Sequence, residues 1–426
     1  MTDVSVSDRQ RIAMRRAISA TVVGNVLEWY DFVVYSYLAV IIAKNFYPTG
    51  SETAALLATF ATFGVGFVAR PLGAIAIGWI GDKRGRKSAL VLTITLMAAG
   101  TALIGLIPPY ATIGVLAPVI LVLARLVQGF SVGGEWGTST AFIAEWAPDE
   151  RRGYFSSWQQ CSVVAGLLLG SGFAALLSTA LPLAEMESWG WRIPFLLGGL
   201  IGPVGVYIRR QIEDSPTYRQ AKVGPPSTNP ASKQVLQTLH AVGYMVVSAV
   251  QFYIFLAYMP TFTQLHAGLG RAEALWSNTA GLLALMIAIP LFGVMSDQVG
   301  RKPLMVTSCI FFIAAPYPMF SIMNGGASLS TIIVVQLIVG LAIALYCAAL
   351  PAAIVELFET RTRTTLLSIA NGTAVAIFGG FAPFIATWLI ARTGSPVSPA
   401  YYVMSGAVIS LLAVIGAREA ANQKLA

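Results

Sequence analysis

Charge is scarce in this sequence. Only 11% of its 426 residues are Asp, Glu, Lys or Arg, about half of what soluble domains carry. Histidine is rarer still, with two in the chain. The three cysteines, Cys161, Cys309 and Cys347, lie inside apolar runs without ligand spacing, so neither a disulfide framework nor a metal site is expected. H-x-x-x-H, G-x-S-x-G and Cys/His arrays are missing, which removes the usual signatures of metal-assisted and nucleophilic catalysis. The G-x-G matches sit in apolar stretches with no phosphate-loop lysine after them, so no cofactor is expected. His240 and His266 fall near opposite ends of one apolar run, the ordinary place for an interfacial histidine.

Apolar residues, by contrast, make up 56% of the chain, and mean hydropathy is +0.72. That composition describes an all-α membrane protein whose surroundings are a lipid bilayer. Runs of about 20 residues, enough for a ~30 Å hydrocarbon core, fall at 17–43, 53–80, 88–108, 113–146, 154–180, 191–209, 236–262, 273–295, 303–323, 329–357, 364–391 and 399–417. Twelve transmembrane helices are therefore expected. The net charge of +8 does not point to nucleic acid, because Lys and Arg stand in short groups between the runs. One side of the membrane collects Lys83, Arg84, Arg86, Lys87, Arg151, Arg152, Arg209, Arg210, Arg301, Lys302, Arg361 and Arg363; the other holds Lys44, Arg192, Arg271 and Arg392. The positive-inside rule then places both termini in the cytoplasm. The run after Arg9, Arg11, Arg15 and Arg16 is too long and too acidic for a signal peptide.

Residues 210–235 form a polar linker containing Gly224-Pro225-Pro226 and Asn229-Pro230. It divides the chain into 1–209 and 236–426, and the two parts repeat. Gly78-Trp79-Ile80-Gly81-Asp82-Lys83-Arg84-Gly85-Arg86-Lys87 is echoed by Gly293-Val294-Met295-Ser296-Asp297-Gln298-Val299-Gly300-Arg301-Lys302. Glu145 to Arg152 is echoed by Glu356 to Arg363. Two pseudo-symmetric six-helix bundles with paired motifs mark a transporter whose site lies between the halves.

The polar residues inside the runs are the informative ones. A charge at mid-bilayer costs roughly 2.5–3.5 kcal/mol even on the lenient scale, so it rarely stands there without a task. Glu28 and Asp31 share one helix face with Asn25 and Tyr35. At ~1.5 Å of rise per residue, Asp31, Arg70 and Glu135 reach one central slab, with Arg125 nearer the outer half. Arginine binds carboxylates bidentately and keeps its proton, so Arg70 and Arg125 are the expected substrate ligands. Asn25, Tyr35 and Gln128 join them from the first half, and Gln251, Tyr346 and Asn371 from the second, where Tyr253 and Tyr258 are further candidates. Asp31 is the expected proton carrier, with Glu135 and Glu28 behind it: substrate and Asp31 would compete for an arginine, so that protonation favours binding. The spacing Gly129/Gly133/Gly137 reads as close helix packing.

The two G-x-x-x-D-x-x-G-R-K-type loops and Arg125-Leu126-Val127-Gln128-Gly129 resemble the signatures of the major facilitator superfamily. Gly24-Asn25-Val26-Leu27-Glu28-Trp29-Tyr30-Asp31-Phe32, Arg70-Pro71-Leu72-Gly73-Ala74, Gln128 to Gly137, Trp189 to Phe195 and Ala376 to Gly380 resemble its metabolite–proton symporters. These include carriers of citrate, 2-oxoglutarate, shikimate and compatible solutes. The resemblance implies a cytoplasmic gate built from Asp82, Arg86, Glu145, Arg152, Asp297, Arg301, Glu356 and Arg363. Glu135 to Thr140 resembles the 2-oxoglutarate carriers, and Ser51 to Phe60 the citrate ones. The chain ends soon after the twelfth run, without the coiled-coil tail of some osmoregulated members, which argues against an osmosensing role.

The expected function is a monomeric proton symporter in a bacterial inner membrane, importing a di- or tricarboxylate such as citrate or 2-oxoglutarate. The alternatives are a shikimate-like monocarboxylate or a zwitterionic osmolyte such as proline or betaine. A quaternary amine would want an aromatic box, for which Trp29, Tyr30, Trp136 and Trp158 are available.

Overall fold

The computed structural model describes residues 8–84, 86–133, 135–209 and 230–416, with 419, 421 and 425 near the C-terminus. Side chains at 8–17, 20, 78, 79, 81–90, 201, 204, 208, 209 and 361 fall outside that description. The side chains of Asp82 and Arg86, and linker residues 210–229 as a whole, therefore lie outside the description. Within the described residues every element of regular secondary structure is helical. The first half comprises α1 (Asp8–Tyr37), α2 (Ala39–Phe46), α3 (Glu52–Val68), α4 (Arg70–Arg84), α5 (Arg86–Leu106), α6 (Tyr110–Ile113), α7 (Leu116–Val132), α8 (Glu135–Trp146), α9 (Arg152–Ala180), α10 (Leu183–Glu185) and α11 (Arg192–Arg209). The second comprises α12 (Ala231–Gln251), α13 (Met259–His266), α14 (Arg271–Val299), α15 (Arg301–Ala314), α16 (Pro316–Met323), α17 (Leu329–Val355), α18 (Thr360–Ala374), α19 (Ala382–Thr393) and α20 (Pro399–Ile415).

Apolar residues all round each helix leave the backbone to satisfy itself, which in hydrocarbon only a helix does. Starts and stops have local causes. Ser51 accepts the Ala54 amide and Ser328 the Thr331 amide, capping α3 and α17. Gly394 closes α19 at φ +68°.

Among the described residues seven helical stretches are long and apolar enough to cross a membrane, and two bent pairs bring the number to nine. Three shorter apolar helices, Val91–Leu106, Arg192–Tyr207 and Pro399–Ile415, fall at three further expected runs. Several runs are less regular than the hydropathy suggests. The first breaks at Leu38, where α1 and α2 meet at 62°. The ninth bends by 50° at Ala315–Pro316, since proline offers no amide to the previous turn. The fourth breaks after Val132, and Glu135 opens the next helix. The seventh continues past Phe262 to His266, through a π-helical segment at Phe252–Tyr258. Two further π-helical segments occur, Met186–Gly190 before α11 and Val375–Gly379 after α18.

The halves meet along a seam between α9 and α14. Trp276 Nε1 donates to Thr179 Oγ1 at 3.1 Å, and Asn278 Nδ2 to Ser171 Oγ at 3.1 Å. Ser171 and Thr279 hydroxyls share a bond at 2.8 Å. Cys161 Sγ lies 3.6 Å from the Met286 carbonyl. At the far end of the seam Asp297 accepts the Gly153 and Tyr154 amides at 2.7 and 2.9 Å. Small hydroxyl residues allow this approach and bond across it.

Candidate solute cavity and the ion pairs that enclose it

Between the halves lies a cavity walled by Trp29, Arg70, Trp136 and Gln160 on one side and by Ser248, Phe252, Tyr253 and Asn371 on the other. Among the described residues Arg70 is the one charged residue in that wall. It is 6% exposed, and its Nε has no hydrogen-bond partner. No ion pair reaches it among the described residues; its guanidinium stacks instead on Phe67 at 4.4 Å and Phe32 at 5.1 Å. Its position is fixed by close backbone packing: a Cβ at Gly133 would fall 2.2 Å from the Arg70 carbonyl oxygen, so glycine is required where α7 ends against the start of α4. A buried guanidinium left without an anion is a ready ligand for a carboxylate.

The two tryptophans supply the cavity's apolar wall. Trp29 meets Phe252 edge to face across the halves, with centroids 5.2 Å apart. Trp136 donates through Nε1 to Gln160 Oε1 at 3.3 Å, which orients that amide. Phe67 lies against Tyr253 at 5.2 Å and Phe63 against Tyr253 at 6.0 Å, so aromatic rings separate the cavity from Arg125.

Arg125 is fully buried and does not line the cavity. Its guanidinium is held by Phe32, Tyr35 and Phe63 at 4.5, 4.6 and 4.9 Å, and Nη1 donates to Gln128 Oε1 at 2.9 Å. Gln128 in turn donates to Thr101 Oγ1 at 2.8 Å. Among the described residues no ion pair joins Asp31 to Arg70 or Arg125, in contrast to the expected direct competition for an arginine. Neutral Gln128 and Thr101 stand between Arg125 and the acid.

Other expected ligands serve elsewhere. Asn25 donates to Ser162 Oγ at 2.7 Å and to the Gln159 carbonyl at 3.3 Å, tying α1 to α9. Tyr35 donates to the Thr59 carbonyl and Tyr346 to the Tyr244 carbonyl. Gln251 is buried, and both side-chain polar atoms are without partners. Of the four residues offered for an aromatic box, Trp29 and Trp136 line the cavity. Tyr30 bonds to the Pro194 carbonyl and Trp158 packs near Tyr154. Gln160 and Ser248 were not anticipated. A glutamine pair, Gln159-Gln160, inside an apolar run was the available signal.

Ion pairs join the halves at both ends of the cavity. At the basic end Arg152 meets Glu356 at 2.9 Å and also holds Asp149. Arg363 meets Glu145 at 3.3 Å. Arg301 holds Asp297 at 2.9 Å and Glu356 at 3.4 Å. At the opposite end Glu187 takes Lys44 at 2.8 Å from its own half and Arg271 at 3.1 Å from the other. Burial pushes the Glu187 carboxyl up, but the two cations outweigh it and hold it below the usual range.

The family described as "Sugar (and other) transporter" matches residues 17–242, and that described as "Major Facilitator Superfamily" matches 245–424. A proline/betaine transporter of Salmonella typhimurium is 34% identical, over 99% of this chain and 87% of its own. A citrate-proton symporter of Klebsiella pneumoniae is 34% identical, over 93% of this chain and 90% of its own. The solved structure of the proton:xylose symporter XylE superposes with a TM-score of 0.79 at 16% identity, covering 98% of both chains. With paired motifs, a cavity between two halves and these matches, the chain belongs to the major facilitator superfamily, among its sugar and metabolite–proton symporters, and is a membrane transporter rather than an enzyme.

Proposed function

We propose that this protein is a proton-coupled symporter for a small zwitterion of the proline or betaine class. The observation that carries this reading is the solute cavity's wall: one unpaired arginine beside two tryptophans, with the second arginine sealed behind aromatic rings. A single fork suits a single carboxylate. The faces of Trp29 and Trp136 suit a desolvated quaternary or secondary ammonium, worth about 2 kcal/mol. Citrate would bring three carboxylates to one cation, which leaves desolvated charge uncompensated. The proline/betaine relative supports the zwitterion. The citrate-proton relative keeps a carboxylate as the second reading.

Twelve spans follow from the nine candidate spans and three shorter apolar helices. The basic loops support the reading that both termini are cytoplasmic, and the bacterial relatives support a bacterial inner membrane. Residues 1–209 and 236–426 act as two six-helix bundles joined by 210–235, and one chain contains the whole cavity, so the monomer is the working unit. The ion pairs at the basic end, with Asp82 and Arg86 of the repeated loops, close the cytoplasmic side. Glu187 closes the outer one. Alternating access exchanges one closure for the other.

The test is uptake into proteoliposomes under an inward proton gradient, with labelled betaine, proline, citrate, 2-oxoglutarate and shikimate, each with and without a protonophore. Betaine or proline accumulation that the protonophore abolishes is expected. Accumulation of citrate alone would replace the zwitterion with the carboxylate reading. Uptake indifferent to the protonophore would remove the proton from the cycle.

A further inference from the structure

Arg125 has more hydrogen-bonding capacity than its surroundings use. It is fully buried, and Nη1 donates to Gln128, but Nε and Nη2 have no partner. Those two donors lie along one edge of the guanidinium and form its side-on fork, the edge that matches both oxygens of a carboxylate. The edge lies near α3, where a Cβ on Gly66 would fall 3.9 Å from Nε. Glu28, Asp31 and Glu135 line a separate space, and among the described residues no ion pair reaches Arg125. Three aromatic rings and one neutral amide are its whole known company.

Between Arg125 and the solute cavity stand two rings from opposite halves. Tyr253 lines the cavity and meets Phe67 edge to face at 5.2 Å. Phe63, which covers Arg125, lies 5.5 Å from Phe67 and 6.0 Å from Tyr253. The Tyr253 hydroxyl is buried without a partner, so no hydrogen bond fixes this ring. Backbone does so instead. A Cβ on Gly379 would fall 2.7 Å from Tyr253 Cε2, and one on Gly380 would fall 2.3 Å from Phe67 Cδ2. Two adjacent glycines thus make room for the two rings. Behind the screen the cations are neighbours: Arg70 and Arg125 stack on the same Phe32 ring, at 5.1 and 4.5 Å.

We propose that Arg125 is a second carboxylate subsite, and that Phe67 and Tyr253, by closing it off, set the charge class of the solute. The inference rests on the zwitterion reading above and deepens it. With both rings in place the cavity offers one fork, which suits a solute with one carboxylate. With either ring cut back, the idle edge of Arg125 joins Arg70. A short dicarboxylate such as succinate then gains a second charge-assisted pair. Selection against dicarboxylates is therefore exclusion by two rings, since the cation that would attract them is already present.

Titration calorimetry of the purified full-length protein tests this, with betaine and succinate as ligands and a thermal midpoint to check each variant. Betaine should bind the unsubstituted protein more tightly than succinate by roughly tenfold or more. Phe67→Ala should raise succinate affinity relative to betaine by roughly 10- to 100-fold, the worth of one charge-assisted pair. Tyr253→Ala opens the screen from the other half and should move the ratio the same way, so the outcome does not hang on one variant's folding. Adding Arg125→Gln to either should return the ratio to its starting value. Succinate binding the unsubstituted protein as tightly as betaine would overturn the proposal. So would an unchanged ratio in a folded ring variant, or a gain that survives Arg125→Gln. If neither betaine nor proline binds the unsubstituted protein, the zwitterion reading fails instead. The subsite is then judged by succinate affinity alone, which must rise in Phe67→Ala and fall back with Arg125→Gln.

Discussion

Arg70 and Arg125 look alike in sequence, each a cation in an apolar run, and they end in different chemistry. Arg70 opens into the solute cavity without an acceptor; Arg125 is enclosed by three rings and bonded to Gln128. Arg70→Lys keeps the charge and loses the fork. Charge-assisted bonds of this kind are worth about 1.5–3 kcal/mol, so solute affinity should fall roughly 10- to 100-fold, read by tryptophan quenching of the purified protein. Trp29→Leu should separate the solutes: betaine affinity falls roughly tenfold or more and proline affinity less, because the trimethylammonium depends most on the ring face. The arginines and acids were legible because a charge in hydrocarbon is expensive wherever it occurs. The cavity's neutral members were not. Gln160, Ser248 and the ring of Phe252 matter only because the two halves are set face to face, and helical period within one run carries no record of that pairing. Asn25 and Tyr346 had the right residue type and depth, but their hydrogen bonds are spent on Ser162 and on the Tyr244 carbonyl.

At the scale of the element, length and hydropathy located the helices and missed their interruptions. The bend at Ala315–Pro316 had a visible cause in proline; the break at Leu38 has no residue-type signature, and neither do the three π-helical segments. A π turn arises from a single extra residue in register, which leaves composition unchanged. Two of the three border the solute cavity, at Phe252, Tyr253 and Val375. Glycine spacing was more informative, since Gly133 seats α7 on the Arg70 backbone. Gly133→Val should cost about 1–3 kcal/mol or more from overpacking. It should also weaken solute binding in the fraction that remains folded, because Arg70 moves with its backbone. Gly172→Ala is the contrast: its nearest neighbour, Thr279 Cγ2, would lie 3.8 Å from the new carbon. Thermal midpoints and solute titrations on both variants check the pair of expectations.

For the whole molecule, the repeated loop motifs led us to expect two halves with cation–acid pairs between them; Arg152–Glu356 and Arg363–Glu145 lie at those motifs, while the side chains of Asp82 and Arg86 lie outside the description. Arg152→Ala leaves Glu356 buried with Arg301 alone, and removing one partner of a buried pair costs about 3–5 kcal/mol. The variant should open to the cytoplasm, seen as faster labelling of Ser248→Cys from that side. The outer latch should respond to acid. Because the Glu187 carboxyl is held below the usual range by Lys44 and Arg271, its contribution is complete above the ordinary glutamate value, about 4.3. It is lost as pH falls through the lower folded-state value. The gap in thermal midpoint between wild type and Glu187→Gln should be constant near neutrality and close only below about pH 4.

The two closures are unequal in kind. Among the described residues the basic end is fastened by Arg152, Arg363 and Asp297, with Glu356 and Glu145 almost wholly buried, whereas the ion pairs at the other end share one partly exposed carboxylate beside neutral bonds such as that of Trp276 to Thr179. An idle carrier spends its time open on the side that is easier to unfasten. If, as proposed, the basic end is cytoplasmic, that side is the cell's exterior, and the empty transporter waits where the solute is dilute. It turns inward mainly when loaded, and what the cell has stored has few chances to leak back by the same route.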